Sequence, residues 1–310
     1  MLTKVTSFPK AHLMLERALE LDPHFAEARA WYGFTNWLML DQGYSNDSTL
    51  LYRGEQEMRV AAQDDPNLAR AHAGFAAIHL MQGHKEMVPA EVNQALKVHP
   101  EDEDALHMLM LYHLYSGEYA EAQRVGQQVL KRIPLFFPNR MMLGEILRQQ
   151  GDLAGAIQEQ ERILDQDPKN MYALCYMARA YMDGGDLVRA RQTLGRGHVG
   201  DRQSYRTRRT WAILLALEHH RTEALKEMDE DVLKWEELVA YESSEVSAFY
   251  AVLGDTSRAL DWLDLAVRKG DERAEWFRRD PLLANIRNHP RFQVIMESII
   301  YRRQRRKPAL

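Results

Sequence analysis

PEDEDALHMLMLYHLYSGEYAEAQRVGQQVLKRI (residues 100–133) and PLFFPNRMMLGEILRQQGDLAGAIQEQERILDQD (residues 134–167) are consecutive 34-residue lines that align without a gap. Each opens on a proline, Pro100 and Pro134, and each carries a glycine 17 residues later, Gly117 and Gly151. Working outward, Pro66 with Gly83 and Pro168 with Gly185 keep the same frame. Two residue types on one period define a repeating unit. Between the markers lie runs of about 12–14 residues with apolar positions at helical spacing. Leu, Ala, Met, Glu and Arg dominate them, and all favour helix. Glycine suits the end of the first helix, where a left-handed backbone costs other residues about 1–2 kcal/mol. Proline ends the second helix, because it cannot continue one. Acidic residues after the glycine (Glu118, Asp152, Asp186) suit the start of the next helix. Small residues such as Ala122 and Ala156 sit where two antiparallel helices must approach. Leucine at either position is expected to overpack the pair and cost about 1–3 kcal/mol, read as a lowered melting temperature.

A 34-residue helix–turn–helix unit with this combination of positions resembles the tetratricopeptide repeat family. The resemblance covers about residues 10–197, with the first repeat keeping only its second helix (Ala11, Leu15, Ala18, Pro23). It implies an all-α fold, a right-handed superhelical solenoid of antiparallel helix pairs with a C-terminal helical cap. Residues 1–200 are expected to form the array, an N-terminal half-repeat plus about five repeats. Residues 201–310 are expected to form a C-terminal helical region with one similar hairpin at 245–268 and capping helices.

The departures are specific. Pro23 and Pro66 are 43 residues apart, and the excess falls at Asp41–Thr49, a polar, turn-rich stretch. It reads as a tolerated surface insertion, either a protruding loop or an extended helix; a functional loop is the alternative. After Gly197 the period fades, with two loosely paired helices expected over Tyr205–Ala240. Asp280-Pro281 and Pro290 are each expected to open a helix. Trp262, Trp276, Phe277 and Phe292 are available to seal the end of the stack, which a solenoid needs. The words WFRRDPLL and HPRF, within about residues 203–300, are similar to the tails of bacterial regulators. Those regulators carry such repeats behind a kinase, adenylate cyclase-like or winged-helix effector. That likeness implies a sensor or docking module that once had an effector in front of it; this chain itself has no HRD, DFG or Gly-rich nucleotide motif.

Composition excludes several classes. The net charge is −5, too mild to demand nucleic acid. No apolar run reaches the ~18 residues of a membrane span, and no secretory signal opens the chain, so the expectation is a cytoplasmic protein. Cys175 is the one cysteine, which excludes an intramolecular disulfide. Twelve histidines invite a metal hypothesis. His79 and His113 hold equivalent repeat positions and His72 and His107 lie on first-type helices, without HExxH or CxxC, so a structural role explains them better. No nucleophile motif is present. The reading is therefore no enzyme, no cofactor and no metal. Of two basic clusters, Arg202, Arg206, Arg208 and Arg209 are interleaved with polar residues at an expected helix start, and the tail Arg302, Arg303, Arg305, Arg306 and Lys307 reads as a solvated terminal segment.

In this family the first helix of each pair lines the inner groove. That geometry places Phe34, Trp37, Arg70, His107, Leu111, Leu114, Tyr115, Met141, Glu145, Arg148, Tyr172 and Arg179 on a candidate partner strip, with Leu111 as readily packed between repeats. Aromatics, Met and Arg are what binding hot spots use. The family's carboxylate-clamp positions hold Ala, His, Met and Leu here, so recognition of a peptide C-terminus is not expected. The leading expectation is a scaffold that binds a peptide or protein. Two others are a homodimer through the open N-terminal half-repeat, unless Leu2, Val5 and Phe8 fold back over it, and a nucleic-acid-binding repeat.

Overall fold

The computed structural model describes residues 8–197, 204–239 and 242–306; Leu2, Val5, Arg202 and Lys307 fall outside them. Among the described residues the regular structure is helical, and the helices pair in sequence. After α1 (Phe8–Leu21), each pair has an inner and an outer member. The pairs are α2 (Ala26–Asp41) with α3 (Thr49–Asp64), α4 (Ala69–Gln82) with α5 (Val88–Val98), and α6 (Glu103–Tyr115) with α7 (Tyr119–Arg132). They continue with α8 (Phe137–Gln150) and α9 (Leu153–Leu164), α10 (Met171–Asp183) and α11 (Leu187–Leu194), and α12 (Tyr205–Leu217) and α13 (Arg221–Glu227). An interposed helix, α14 (Glu230–Leu238), precedes the last pair, α15 (Ser243–Val252) and α16 (Thr256–Arg268). α17 (Ala274–Arg279), a 3-10 turn at Pro281–Leu283 and α18 (Pro290–Arg306) complete the chain. The inner helices α2, α4, α6, α8, α10, α12 and α15 stack in succession, and the outer helices from α3 to α11 each wedge against the next inner one. This is an all-α helical repeat solenoid.

The turn chemistry explains the pairing. Gly83, Gly117, Gly151, Gly185 and Gly254 all have φ between +69° and +92°. In each, the two amides after the inner helix turn back to its last carbonyls, as Gly185 N→Met182 O (3.0 Å) and Asp186 N→Tyr181 O (2.9 Å). The next residue then starts the outer helix: Asp152, Asp186 and Asp255 accept from Gly155, Arg189 and Arg258 amides at 2.9–3.1 Å. Ala122 and Ala156 are buried between the helices of their pairs, which is where leucine would overpack.

The same frame runs past the point where the sequence period fades. His219 lies 34 residues after Gly185, has φ +65°, and makes the same closing bonds, His219 N→Ala216 O and His220 N→Leu215 O. α12 and α13 are therefore a sixth pair with histidine in the glycine position. Tyr205–Ala240, expected to hold two helices, holds three. His219→Gly removes left-handed strain from an exposed turn and is expected to stabilise the protein by about 0.5–1 kcal/mol. A urea midpoint no higher than that of the unmodified protein would refute this.

The superhelix also closes on itself. The carbonyl ends of the early inner helices lack intrahelical partners, and groups from elsewhere in the chain, most of them later in sequence, bond to them. Trp235 Nε1 donates to Leu40 O (2.6 Å), Arg206 Nη2 to Asp41 O (2.9 Å), and Ser204 Oγ and Tyr172 Oη to Gln42 O (2.9 and 2.8 Å). The Glu272 amide and Lys85 Nζ donate to Tyr115 O (2.8 and 3.2 Å), Arg303 to Ser116 O, and Arg279 Nη2 to Gln149 O (3.1 Å). Four of these donors are cations at helix C-termini, where the macrodipole favours positive charge. The insertion after Asp41 takes part. Gly43 O accepts from Tyr205 N (2.8 Å), and Asn46 Nδ2 donates to Asp231 (3.2 Å). This stretch therefore does not protrude; it joins the first pair to the sixth.

Candidate functional site: the enclosed inner face

Most of the strip predicted to line a groove is buried, and from Tyr115 onward groups from the C-terminal part cover it: Arg273 lies over Tyr115, Trp276 against Arg148, Arg206 over Tyr172, and Glu245 and Asp280 against Arg179. Phe34, Trp37, Leu111, Leu114, Tyr115, Glu145, Arg148, Tyr172 and Arg179 are all buried. Arg70, His107 and Met141 are partly buried at the amino-terminal ends of their helices. Cys175 is buried too. A peptide could lie along this strip only by displacing the helices that now cover it. Helical spacing alone does not show that groups from later helices would cover these side chains.

Where the strip meets the C-terminal helices, an ionic core forms. Arg148 on α8 pairs with Glu145 (2.6 Å) and Asp183, and Arg179 on α10 pairs with Asp183, Glu245 (3.0 Å) and Asp280 (3.3 Å). On α12, Arg206 pairs with Glu242 (2.7 Å), while Arg209 Nη1 meets both Glu236 (2.9 Å) and Glu242 (2.6 Å). Arg273 pairs with Asp271 (2.5 Å) and lies over the Tyr115 ring at 4.7 Å. Lys85 and Glu272 form a further buried pair at 3.1 Å. A cavity of about 30 Å³ sits among these groups, lined by Cys175, Tyr176, Arg206, Arg209 and Thr210 among others. That is room for about two waters. Arg206 Nε and Arg209 Nε are buried there without a protein partner.

Electrostatics splits the two carboxylates that share Arg209. Burial opposes charge on both. At Glu242 the guanidiniums of Arg206 and Arg209 outweigh burial and hold its carboxyl down at about 2. At Glu236 burial wins over Arg209, with Glu242 adding repulsion, and its carboxyl is pushed up to about 8. Glu236 is thus protonated at neutral pH, and its second oxygen has no protein partner. The folded protein binds this proton more tightly than the unfolded chain, whose carboxyl titrates near 4.5. Stability therefore falls as pH rises from about 4.5 to about 8 on account of this group. Glu236→Gln is expected to flatten that limb and to stabilise the protein at pH 8. An unchanged slope of unfolding free energy against pH would refute it. Glu242 acts on the acid side, its contribution being lost as pH falls from 4.5 toward 2.

The four histidines weighed as metal ligands have protein partners or packed surroundings. His72 Nδ1 lies 2.8 Å from Glu91, His113 Nδ1 2.6 Å from Glu118, and His107 Nδ1 2.7 Å from Asn139. Burial pushes His107 down to about 4, so it is neutral. His79 stacks on Phe75. Among the described residues no group of His, Cys, Asp and Glu is placed to hold a metal ion. Arg70 continues the pairing outside the core: it bridges Glu27 (3.2 Å) and Asp104 (2.5 Å), one repeat away on either side, over the Trp31 ring. Much of the two basic clusters is docked, including part of the tail that reads as solvated. Arg206 and Arg209 are in the core, Arg208 pairs with Asp229 (2.5 Å), and Arg302 and Arg303 donate to backbone carbonyls. No helix among the described residues is long and apolar enough to cross a membrane.

Comparison with known proteins agrees with this frame. Models of the tetratricopeptide repeat match residues 107–171 and 147–198. The chain is 29% identical over 180 residues to the cellulose synthase operon protein C of Pseudomonas fluorescens (strain SBW25), covering 52% of this chain and 14% of that protein. It is 25% identical over 162 residues to the cellulose synthase 1 operon protein C of Komagataeibacter xylinus, covering 48% and 12%. The chain thus spans less than a sixth of the length of the curated relatives it matches. Its fold resembles that of the human IFIT1 dimer with PPP-AAAA (TM-score 0.60, 15% identity, 84% of this chain and 68% of that one). A tetratricopeptide repeat protein from Parabacteroides merdae is also similar (TM-score 0.50, 15% identity, 86% and 99%). Over residues 107–198 the family models and the observed helix pairs coincide, and this part of the chain carries tetratricopeptide repeats.

Proposed function

We propose that this chain is a non-catalytic scaffold that holds protein partners on its outer surfaces and its exposed ends. Tetratricopeptide repeats generally mediate protein–protein interaction and are typically non-catalytic. The observation that carries the reading is the interlocked interior: the inner face is filled by the chain's own helices, which leaves the outer faces to partners. The human IFIT1 dimer holds PPP-AAAA, so a nucleic-acid partner is the second reading. It finds less support, because the interior arginines already face carboxylates. The test is affinity capture on the immobilised protein from cells that make it, with and without nuclease. A defined set of proteins captured regardless of nuclease supports the scaffold. Capture that disappears with nuclease, or none above blank resin, overturns it.

A further inference from the structure

α1 packs on α2 as the outer helix of one pair packs on the inner helix of the next. In the repeat frame Ala11, Met14, Leu15 and Ala18 correspond to Val88, Glu91, Val92 and Ala95 of α5, and to Ala122, Val125, Gly126 and Val129 of α7. In α5 and α7 these positions face the inner helix of their own pair: Val88, Val92, Ala95, Ala122, Val125 and Val129 are buried, and Glu91 reaches His72 of α4. On α1 the same positions are less covered, with Ala11, Leu15 and Ala18 only partly buried and Met14 exposed. Met14 is 65% exposed, and Leu13 and Leu21 beside it are 63% and 73% exposed. The opposite face of α1 is already used, with His12 stacked on Tyr32 and bonded to Thr35.

We propose that the Met14 face of α1 docks an inner-type tetratricopeptide helix, lying antiparallel to α1 and supplied by another tetratricopeptide segment. Continuity with the packing inside the other pairs states the partner's chemistry. It is an amphipathic helix with a small residue at the crossing and an apolar flank, as α2 presents with Gly33 against Gly54 and Met58 of α3, and α8 with Gly144 against Ala156 and Gln160 of α9; Ala76 holds that position in α4. A second copy of this chain is a poorer fit, because its own inner helices are all committed to its interior. This deepens the scaffold reading by naming one partner class, and the two can fail separately. Partners captured equally well by Met14→Asp leave the scaffold standing and remove this face.

The direct test uses the whole protein and a labelled peptide of the α4 sequence, residues 69–82, followed by fluorescence anisotropy. Expected are saturable binding and at least a tenfold weakening by Met14→Asp and by Leu21→Asp. Val294→Asp, at an exposed apolar position on α18 at the other end, should bind as the unmodified protein does. Thermal melts of the three variants confirm folding. No saturable binding, or equal binding by all variants, overturns the proposal. So does light scattering that shows a dimer dissolved by Met14→Asp, since a second copy would then be the occupant.

Discussion

Replacing Arg209 with methionine is expected to lower the unfolding free energy by about 3–5 kcal/mol, the usual cost of removing one partner from a buried ion pair. Arg209 is buried on α12 and one of its nitrogens meets both Glu236 and Glu242. Without it, Glu242 keeps Arg206 but loses the charge that helps to hold its carboxyl near 2. Glu236 is already protonated, so it adds little further loss at neutral pH. Arg209→Met should therefore be rescued in part by Glu242→Gln and hardly at all by Glu236→Gln. Urea unfolding of the single and double variants at pH 7 measures this. A loss below about 1 kcal/mol would place the pair in the range of solvated surface bridges and refute the ionic core as a stabilising element.

Trp235→Ala is expected to cost a similar amount, about 3–5 kcal/mol. The indole is fully buried on α14, stacked on Tyr205, with Arg206 and Arg209 each 5.6 Å from its ring. Its Nε1 donates to Leu40 O, 195 residues away. Trp235→Phe keeps much of the apolar surface and loses the donor, so its cost should be about 1–3 kcal/mol. The location of the change is as informative as its size. Amide exchange should accelerate at the end of α2 and through the 42–48 stretch, far from the substitution in sequence. Exchange altered only near α14 would mean that the closure contributes little.

The regular part of the fold was legible because its determinants are local. Proline, glycine and a capping aspartate each act within one turn, and they set helix ends wherever they occur. His219 shows the limit of such reading. The backbone there follows the frame, but the residue that usually marks it is missing, so the sixth pair looked like an irregular segment. The inner strip was legible as a face, since helical spacing fixes which side chains point inward. Its enclosure was not. In Gly270-Asp271-Glu272-Arg273 three of four residues are charged, a composition usual for exposed loops, yet those three are buried against groups that include Ser244, Tyr115 and Lys85. Charged residues bury only in pairs, and these partners come from helices more than a hundred residues apart in some cases. Nothing in the local pattern announces them. The stretch at 42–48 misled for the same reason, because its contacts with Tyr205 and Asp231 are long-range.

An open solenoid behaves as a linear lattice, in which each repeat answers only to its neighbours and the ends fray independently. Joining the first pair to the sixth, and the third to the last helix, turns that lattice into a loop. Fraying from the first pair must now break bonds to the far end as well, so unfolding becomes one concerted event rather than a progressive peeling. Forming those bonds requires closing segments of well over a hundred residues, which raises contact order and slows the last step of folding. The array thereby exchanges the compliance of a spring for the fixed outline of a clasped ring, and whatever binds its rim meets a surface of constant curvature.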